Sequence, residues 1–255
     1  MEVTPAGLAG MIDHTLLKPE ATSADIGVLC AEAAENGFHT VCVNPSRVAL
    51  ASSLLRGTGV GVCSVVGFPL GACRSKPHEA SLAVADGACE IDMVLDIGAL
   101  KDGNRAAAAL DIARVVEAAS GMPVKVIIEA CLLTDLEKLE ACSVCEAGGA
   151  SFVKTSTGFS HGGATVGDVR LLRRAVGDRM RVKASGGIAD LDAALAMIGA
   201  GADRLGLSRS VRILGEMRLR AAGGVVQPPA VGSDSDSCSA ETALEGSDRH
   251  PREKE

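Results

Sequence analysis

Short runs of apolar, often β-branched residues alternate with longer amphipathic or alanine-rich stretches along most of the chain. HTVCVN (39–44), VGVCSVV (60–66), EIDMVL (90–95), VKVIIE (124–129), SFVK (151–154), RVKAS (181–185) and DRLGL (203–207) read as strands, with a weaker first one at GMIDH (10–14). Between them, 24–36, 46–55, 79–86, 105–119, 135–146, 166–176, 191–198 and 211–220 read as helices. Several stop at a glycine suited to a C-cap, as in ENG at 35–37, ADG at 85–87 and IGAG at 198–201. Eight such βα units predict an α/β fold, the (β/α)8 TIM barrel, which typically runs to about 250 residues. An open doubly wound sheet is the competitor, but it would usually offer a GxGxxG turn after its first strand, and this chain has none.

After Arg220 the pattern dissolves into GGVVQPPAVGSDSDSCSAETALEGSDRHPREKE, rich in Gly, Pro, Ser and charge. The expected organisation is a barrel over 1–220 and a disordered tail over 221–255.

Composition narrows the partners. The chain has 255 residues, 47% of them hydrophobic, enough for a full core, and a net charge of −7 that would attract neither nucleic acid nor an anionic membrane. The most apolar stretch, Val60 to Cys73, is broken by Gly61, Gly67, Pro69 and Gly71, so nothing in it spans a bilayer. No signal peptide opens the chain, and a cytoplasmic protein acting on small molecules is the expectation. Nine cysteines, mostly within apolar runs, argue for buried thiols over a disulfide framework. Cys142 and Cys145 form a CxxC inside a helical pattern without a second ligand pair, which makes a weak metal or redox signal.

In a barrel of this kind the chemistry sits at the carboxyl ends of the strands. Those ends carry Asp13, Asn44, Asp92 with Asp96, Lys125 with Glu129, Lys154 and Lys183. Alternation puts Lys154 on one face with Phe152, and Glu90, Asp92 and Val94 together on another. An ammonium inside a packed barrel is expensive unless paired or neutral. Side by side on consecutive strands, Lys154 and Lys183 would each disfavour charge on the other, freeing one amine to attack a carbonyl and form a Schiff base. The alternative is structural, with each lysine paired to a barrel carboxylate or facing outward. The loops that follow, STGFSHGG after Lys154, SGGI after Lys183 and SRS after the last strand, offer backbone N–H groups of the kind that hold a phosphate.

The stretches IDHTLLKPEAT (12–22), VCVNPSRV (41–48), VVGFPLGA (65–72), EIDMVLDIGALKDG (90–103), VKVIIEACLLT (124–134), FVKTSTGFSHGGAT (152–165) and VKASGGI (182–188) closely resemble the deoxyribose-phosphate aldolase family in its shorter bacterial form. The likeness runs from about residue 8 to 214. It implies a class I aldolase that reversibly cleaves 2-deoxy-D-ribose 5-phosphate to D-glyceraldehyde 3-phosphate and acetaldehyde, with no metal and no cofactor. By resemblance Lys154 is the Schiff-base lysine, Lys183 the second lysine, Asp92 the acid/base acting through water, and Asp13 a supporting carboxylate near Lys183. Cys42 is then a pocket-lining thiol, while Thr157, Gly158, Gly186, Gly187, Gly206, Ser208 and Arg209 belong to the substrate and phosphate site. The implied partners are a sugar phosphate and aldehydes, and a homodimer is among the assemblies that the family forms.

The chain departs from the family pattern in four places. Ala189 follows SGGI where the family commonly has an arginine, and the last loop reads GLSRS, in which Arg209 either returns the missing charge or only caps a surface helix while backbone amides hold the phosphate. The segment after FPLGA is short, and no tyrosine exists to serve the site. A Schiff-base lyase acting on a different or unphosphorylated aldehyde, or a phosphate-binding barrel without turnover, are the competing readings.

Overall fold

The computed structural model describes residues 3–223. Its strands are β1 (Ile12–Leu16), β2 (Thr40–Val43), β3 (Gly61–Val66), β4 (Glu90–Val94), β5 (Val124–Ile127), β6 (Phe152–Lys154), β7 (Arg181–Ser185) and β8 (Arg204–Leu207). Each runs parallel to the next, and β8 returns to pair with β1, closing the barrel. The helices are α1 (Pro5–Ala9), α2 (Ser23–Asn36), α3 (Val48–Leu54), α4 (Lys76–Ala85), α5 (Ile97–Lys101), α6 (Arg105–Ala118), α7 (Asp135–Ala147), α8 (Val166–Val176), α9 (Leu191–Gly199) and α10 (Ser210–Ala221).

Local chemistry accounts for these bounds. Thr22 opens α2 with a capping box, its hydroxyl accepting from the Asp25 amide while the Asp25 carboxylate accepts from the Thr22 amide; Gly37 closes the helix in the left-handed region at φ 66°. Thr134 and Glu137 repeat the box at α7. β2, β4 and β5 are buried at every position, because one face packs inside the barrel and the other under the helices. The main core lies in that outer layer, where Val41, Ile91, Val126, Val153 and Leu205 meet Ile26, Ile112, Leu172 and Ile213.

All eight strands fall on the apolar runs of the sequence. α1 and α5 escape a periodicity reading because five residues make little more than one turn. The expected tail lies, from residue 224 on, outside the described residues, and α10 continues to Ala221. Among the described residues no helix is long and apolar enough to cross a membrane.

Candidate active site

Inside the barrel the register lines up polar side chains in place of an apolar plug. Asp92 on β4 stands opposite Lys125 on β5, and Lys154 on β6 opposite Lys183 on β7, which stands opposite Arg204 on β8. Asp13, Asp92, Lys125 and Lys183 have no exposed surface, and Lys154 retains 3%.

Asp92 is the hub. Its Oδ2 accepts from Lys154 Nζ at 2.7 Å and from Lys183 Nζ at 2.7 Å. Its Oδ1 accepts from Lys125 Nζ at 2.8 Å and from the Cys63 thiol at 3.1 Å. Lys183 also donates to Asp13 Oδ2 at 2.5 Å. Below them Lys125 reaches Glu90 at 2.6 Å, and Arg204 bridges Asp13 at 2.7 Å and Glu90 at 2.9 Å. The Phe152 ring floors this layer, with the Lys125 ammonium and the Arg204 guanidinium 5.7 and 5.5 Å from its centroid.

These contacts fix the protonation of most of the cluster. Burial alone would raise the Asp92 pKa, but Lys125, Lys154 and Lys183 outweigh it and hold the carboxyl well below the usual range. Asp13 is likewise lowered, burial being outweighed by Lys183, Lys125 and Arg204. Burial would strip the proton from Lys183, but Asp13 and Asp92 overcome it and push the pKa above the ordinary lysine value. Lys125 is raised the same way, chiefly by Asp92 against burial. Lys125, Lys183 and Arg204 are therefore fixed cations, and Asp13, Glu90 and Asp92 fixed anions.

Above the cluster, at the carboxyl ends of the strands, opens a cavity of about 410 Å³. Lys154 borders it; Lys183, Lys125, Asp92 and Asp13 do not. Thr157, Gly158, Gly186, Gly187, Gly206 and Ser208 line its walls, together with Lys18 and Phe159. The Phe159 ring stands edge-on to Phe68 at 5.1 Å. Two expected contacts lie elsewhere. Cys42 is fully buried in a satellite cluster with Leu17, Cys63 and Val65 and does not border the cavity, because its strand position points it into the barrel. Arg209 precedes the first turn of α10, is exposed, and is also absent from the lining.

Gly206 serves Lys183. A Cβ there would meet Ser185 Cβ at 2.9 Å and Lys183 Cε at 3.1 Å, so the missing side chain is the space through which the lysine passes. Thr157 has little left for a ligand, since its amide and hydroxyl both donate to Glu129 while its Oγ1 accepts from the Phe159 amide at 3.0 Å. The sequence places Lys125 and Glu129 among the strand-end candidates and Glu90 on the face of Asp92 without giving them a role, and it does not point to Arg204. Lys125 and Arg204 sit in strands whose two faces are both buried, so apolar alternation is lost there; Glu129 takes its place only through the fold.

Cys42, Cys63 and Asp92 bring one donor atom each within 4.8 Å of one another, a spacing that suits a cation. Lys125, Lys154 and Lys183 already donate to the Asp92 oxygens, and the Lys125 and Lys183 cations would repel one. Cys142 and Cys145 are buried in α7, and burial pushes the Cys142 thiol up to about 12, the opposite of a reactive thiolate. A wider hollow of about 1100 Å³ lies at the amino ends of β1 and β8; its Arg173 and Asp203 are paired to each other, and it holds none of the cluster.

A closed parallel eight-stranded barrel with a lysine bordering the cavity at its carboxyl end makes the protein a (β/α)8 barrel that presents an amine at the usual place for chemistry in this fold. The DeoC/LacD family aldolase model matches residues 8–221, and the chain belongs to that family. It is 56% identical over 219 residues to a deoxyribose-phosphate aldolase of Alkaliphilus oremlandii, covering 85% of this chain and 99% of that one. A deoxyribose-phosphate aldolase of Methanothermobacter thermautotrophicus is 57% identical over 210 residues, 81% of this chain and 93% of its own. Among solved structures, the tetrameric deoxyribose phosphate aldolase of Aeropyrum pernix superposes with a TM-score of 0.79 at 36% identity, covering 84% of this chain and 92% of that one.

Proposed function

We propose that this protein is a class I aldolase that reversibly cleaves 2-deoxy-D-ribose 5-phosphate to D-glyceraldehyde 3-phosphate and acetaldehyde, with Lys154 as the Schiff-base nucleophile. One observation carries the assignment of Lys154. Of the cluster's lysines it alone among the described residues borders the cavity, and it lies 2.7 Å from the Asp92 carboxylate.

The Lys154 amine adds to C1 of the open-chain sugar, giving a carbinolamine that loses water to a protonated iminium. A base takes the proton of the C3 hydroxyl, the C2–C3 bond breaks, and its electron pair moves toward the iminium nitrogen. D-glyceraldehyde 3-phosphate leaves, and an enamine stays on Lys154. Protonation at C2 and addition of water then release acetaldehyde and the free amine. Asp92 is ionised and takes the hydroxyl proton through water, then returns it to C2 of the enamine, while Lys183 beside it stays the cation that holds the carboxylate in place. Asp13 holds Lys183 in place.

The proposed setting is the cytoplasm, with a small phosphosugar as partner. A homo-oligomer is the proposed assembly, supported by the tetramer of the Aeropyrum pernix relative. The test is a coupled assay of deoxyribose 5-phosphate cleavage for the full chain and for Lys154→Met. The expected result is turnover in the first and none in the second; comparable turnover in both would remove Lys154 from the mechanism.

A further inference from the structure

A phosphate dianion needs positive charge, and neither Ala189 nor Arg209 delivers it to the cavity. We infer that Lys18, in the loop after β1, is the cation that selects a phosphorylated substrate; the inference rests on the phosphosugar reading above. Two lysines line the cavity, and one of them, Lys154, is engaged with Asp92. Lys18 is exposed and forms no ion pair among the described residues.

The topology sets it beside the right loops. β1 pairs with β8, and β8 with β7, so the loop carrying Lys18 neighbours Ser208 after β8 and, one strand further, Gly186 and Gly187 after β7. The mount is firm. The Asn44 side-chain amide donates to the Leu17 carbonyl at 3.0 Å, and the Ala21 amide donates to the Lys18 carbonyl at 3.1 Å. Arg47 then ties Ala21 down from β2's side at 2.8 Å. A cation whose backbone is held this way loses less entropy on meeting an anion than one on a loose loop.

The surroundings also suit an anion. The Gly186 carbonyl is occupied by the Ala164 amide at 2.9 Å, which removes one acceptor from the cavity wall. Lys18 borders the cavity and is exposed, so its charge can follow the phosphate while the glycine turns hold the oxygens.

The experiment compares kcat/KM for 2-deoxyribose 5-phosphate and for plain 2-deoxyribose, with inhibition by inorganic phosphate, in the unaltered chain, Lys18→Gln, Lys18→Arg and Arg209→Ala. Expected is a fall of about tenfold or more in the preference for the phosphorylated sugar in Lys18→Gln, carried by KM, with weaker phosphate inhibition. Lys18→Arg keeps most of the preference, and Arg209→Ala keeps all of it. The inference is overturned if Lys18→Gln leaves the preference intact, if both sugars lose activity alike, or if Arg209→Ala produces the loss. Borohydride trapping of acetaldehyde on each variant separates the two layers: an adduct with an unchanged preference removes Lys18 alone, whereas no adduct on the unaltered chain removes the aldolase reading and this inference with it.

Discussion

At the scale of single residues, the site is an exercise in keeping charge balanced where water cannot reach. Asp92 is held by Lys125, Lys154 and Lys183 together, so its replacement reaches every partner. Asp92→Asn is expected to lower kcat by at least about 100-fold, because the proton acceptor is gone, measured in the cleavage assay. The same change leaves buried cations unpaired and is expected to cost about 3 to 5 kcal/mol of stability, read as a lower denaturation midpoint. Gly206→Ala tests the space around Lys183. A methyl 3.1 Å from Lys183 Cε forces the lysine off Asp13 or Asp92, and kcat should fall about tenfold or more while the far-ultraviolet spectrum stays the same.

Among the elements, the junction of β5 and β6 is the least ordinary. The amides of Ile128 and Ala130 bond to the successive carbonyls of Lys154 and Thr155, at 3.0 and 2.8 Å. Glu129 between them is forced into the left-handed region, at φ 49°, a strained place for a residue with a side chain. That kink turns its carboxylate onto Thr157 and thereby fixes the loop that carries Gly158 and Phe159. Glu129→Gln is expected to raise KM about tenfold, with kcat changed far less, in a steady-state comparison; an equal fall in kcat would mean that the carboxylate does more than position the loop. This junction also marks how far the sequence could be read. The periodic runs give the eight strands, and alternation puts Glu90 with Asp92 and Phe152 with Lys154, because charged residues stand out against apolar neighbours. Lys125 and Arg204 join the cluster only through the register between strands, which no single strand contains. Glu129 reads as the polar end of a strand until its backbone is seen to leave the sheet. Arg209, one residue past Ser208 in the sequence, stands at the start of α10 and outside the cavity lining.

For the whole molecule, the buried ion network sets where in pH the fold is safe. Asp13, Glu90 and Asp92 have pKa values below their ordinary 3.8 to 4.5, so their stabilisation is present above that range and is lost as pH falls through their folded values. Lys125 and Lys183 lie above 10.5, so their share is present below 10.5 and is lost as pH rises through the folded values. His14, lowered from 6.5 mainly by burial, adds a shallow loss that begins as pH drops below 6.5. The Tm measured against pH should therefore be level from about 6.5 to about 10, decline gently toward 4.5 and steeply below it; a steep loss between pH 5 and 8 would contradict the ion network as drawn. The same network ends beneath a cavity that Lys154, alone of the network's described lysines, borders, and the central claim is that this lysine forms the Schiff base. The direct measurement is incubation with acetaldehyde and sodium borohydride, followed by digestion and mass spectrometry. An ethyl group on Lys154 is the expected result. Modification at another lysine, or none at all, would contradict the account.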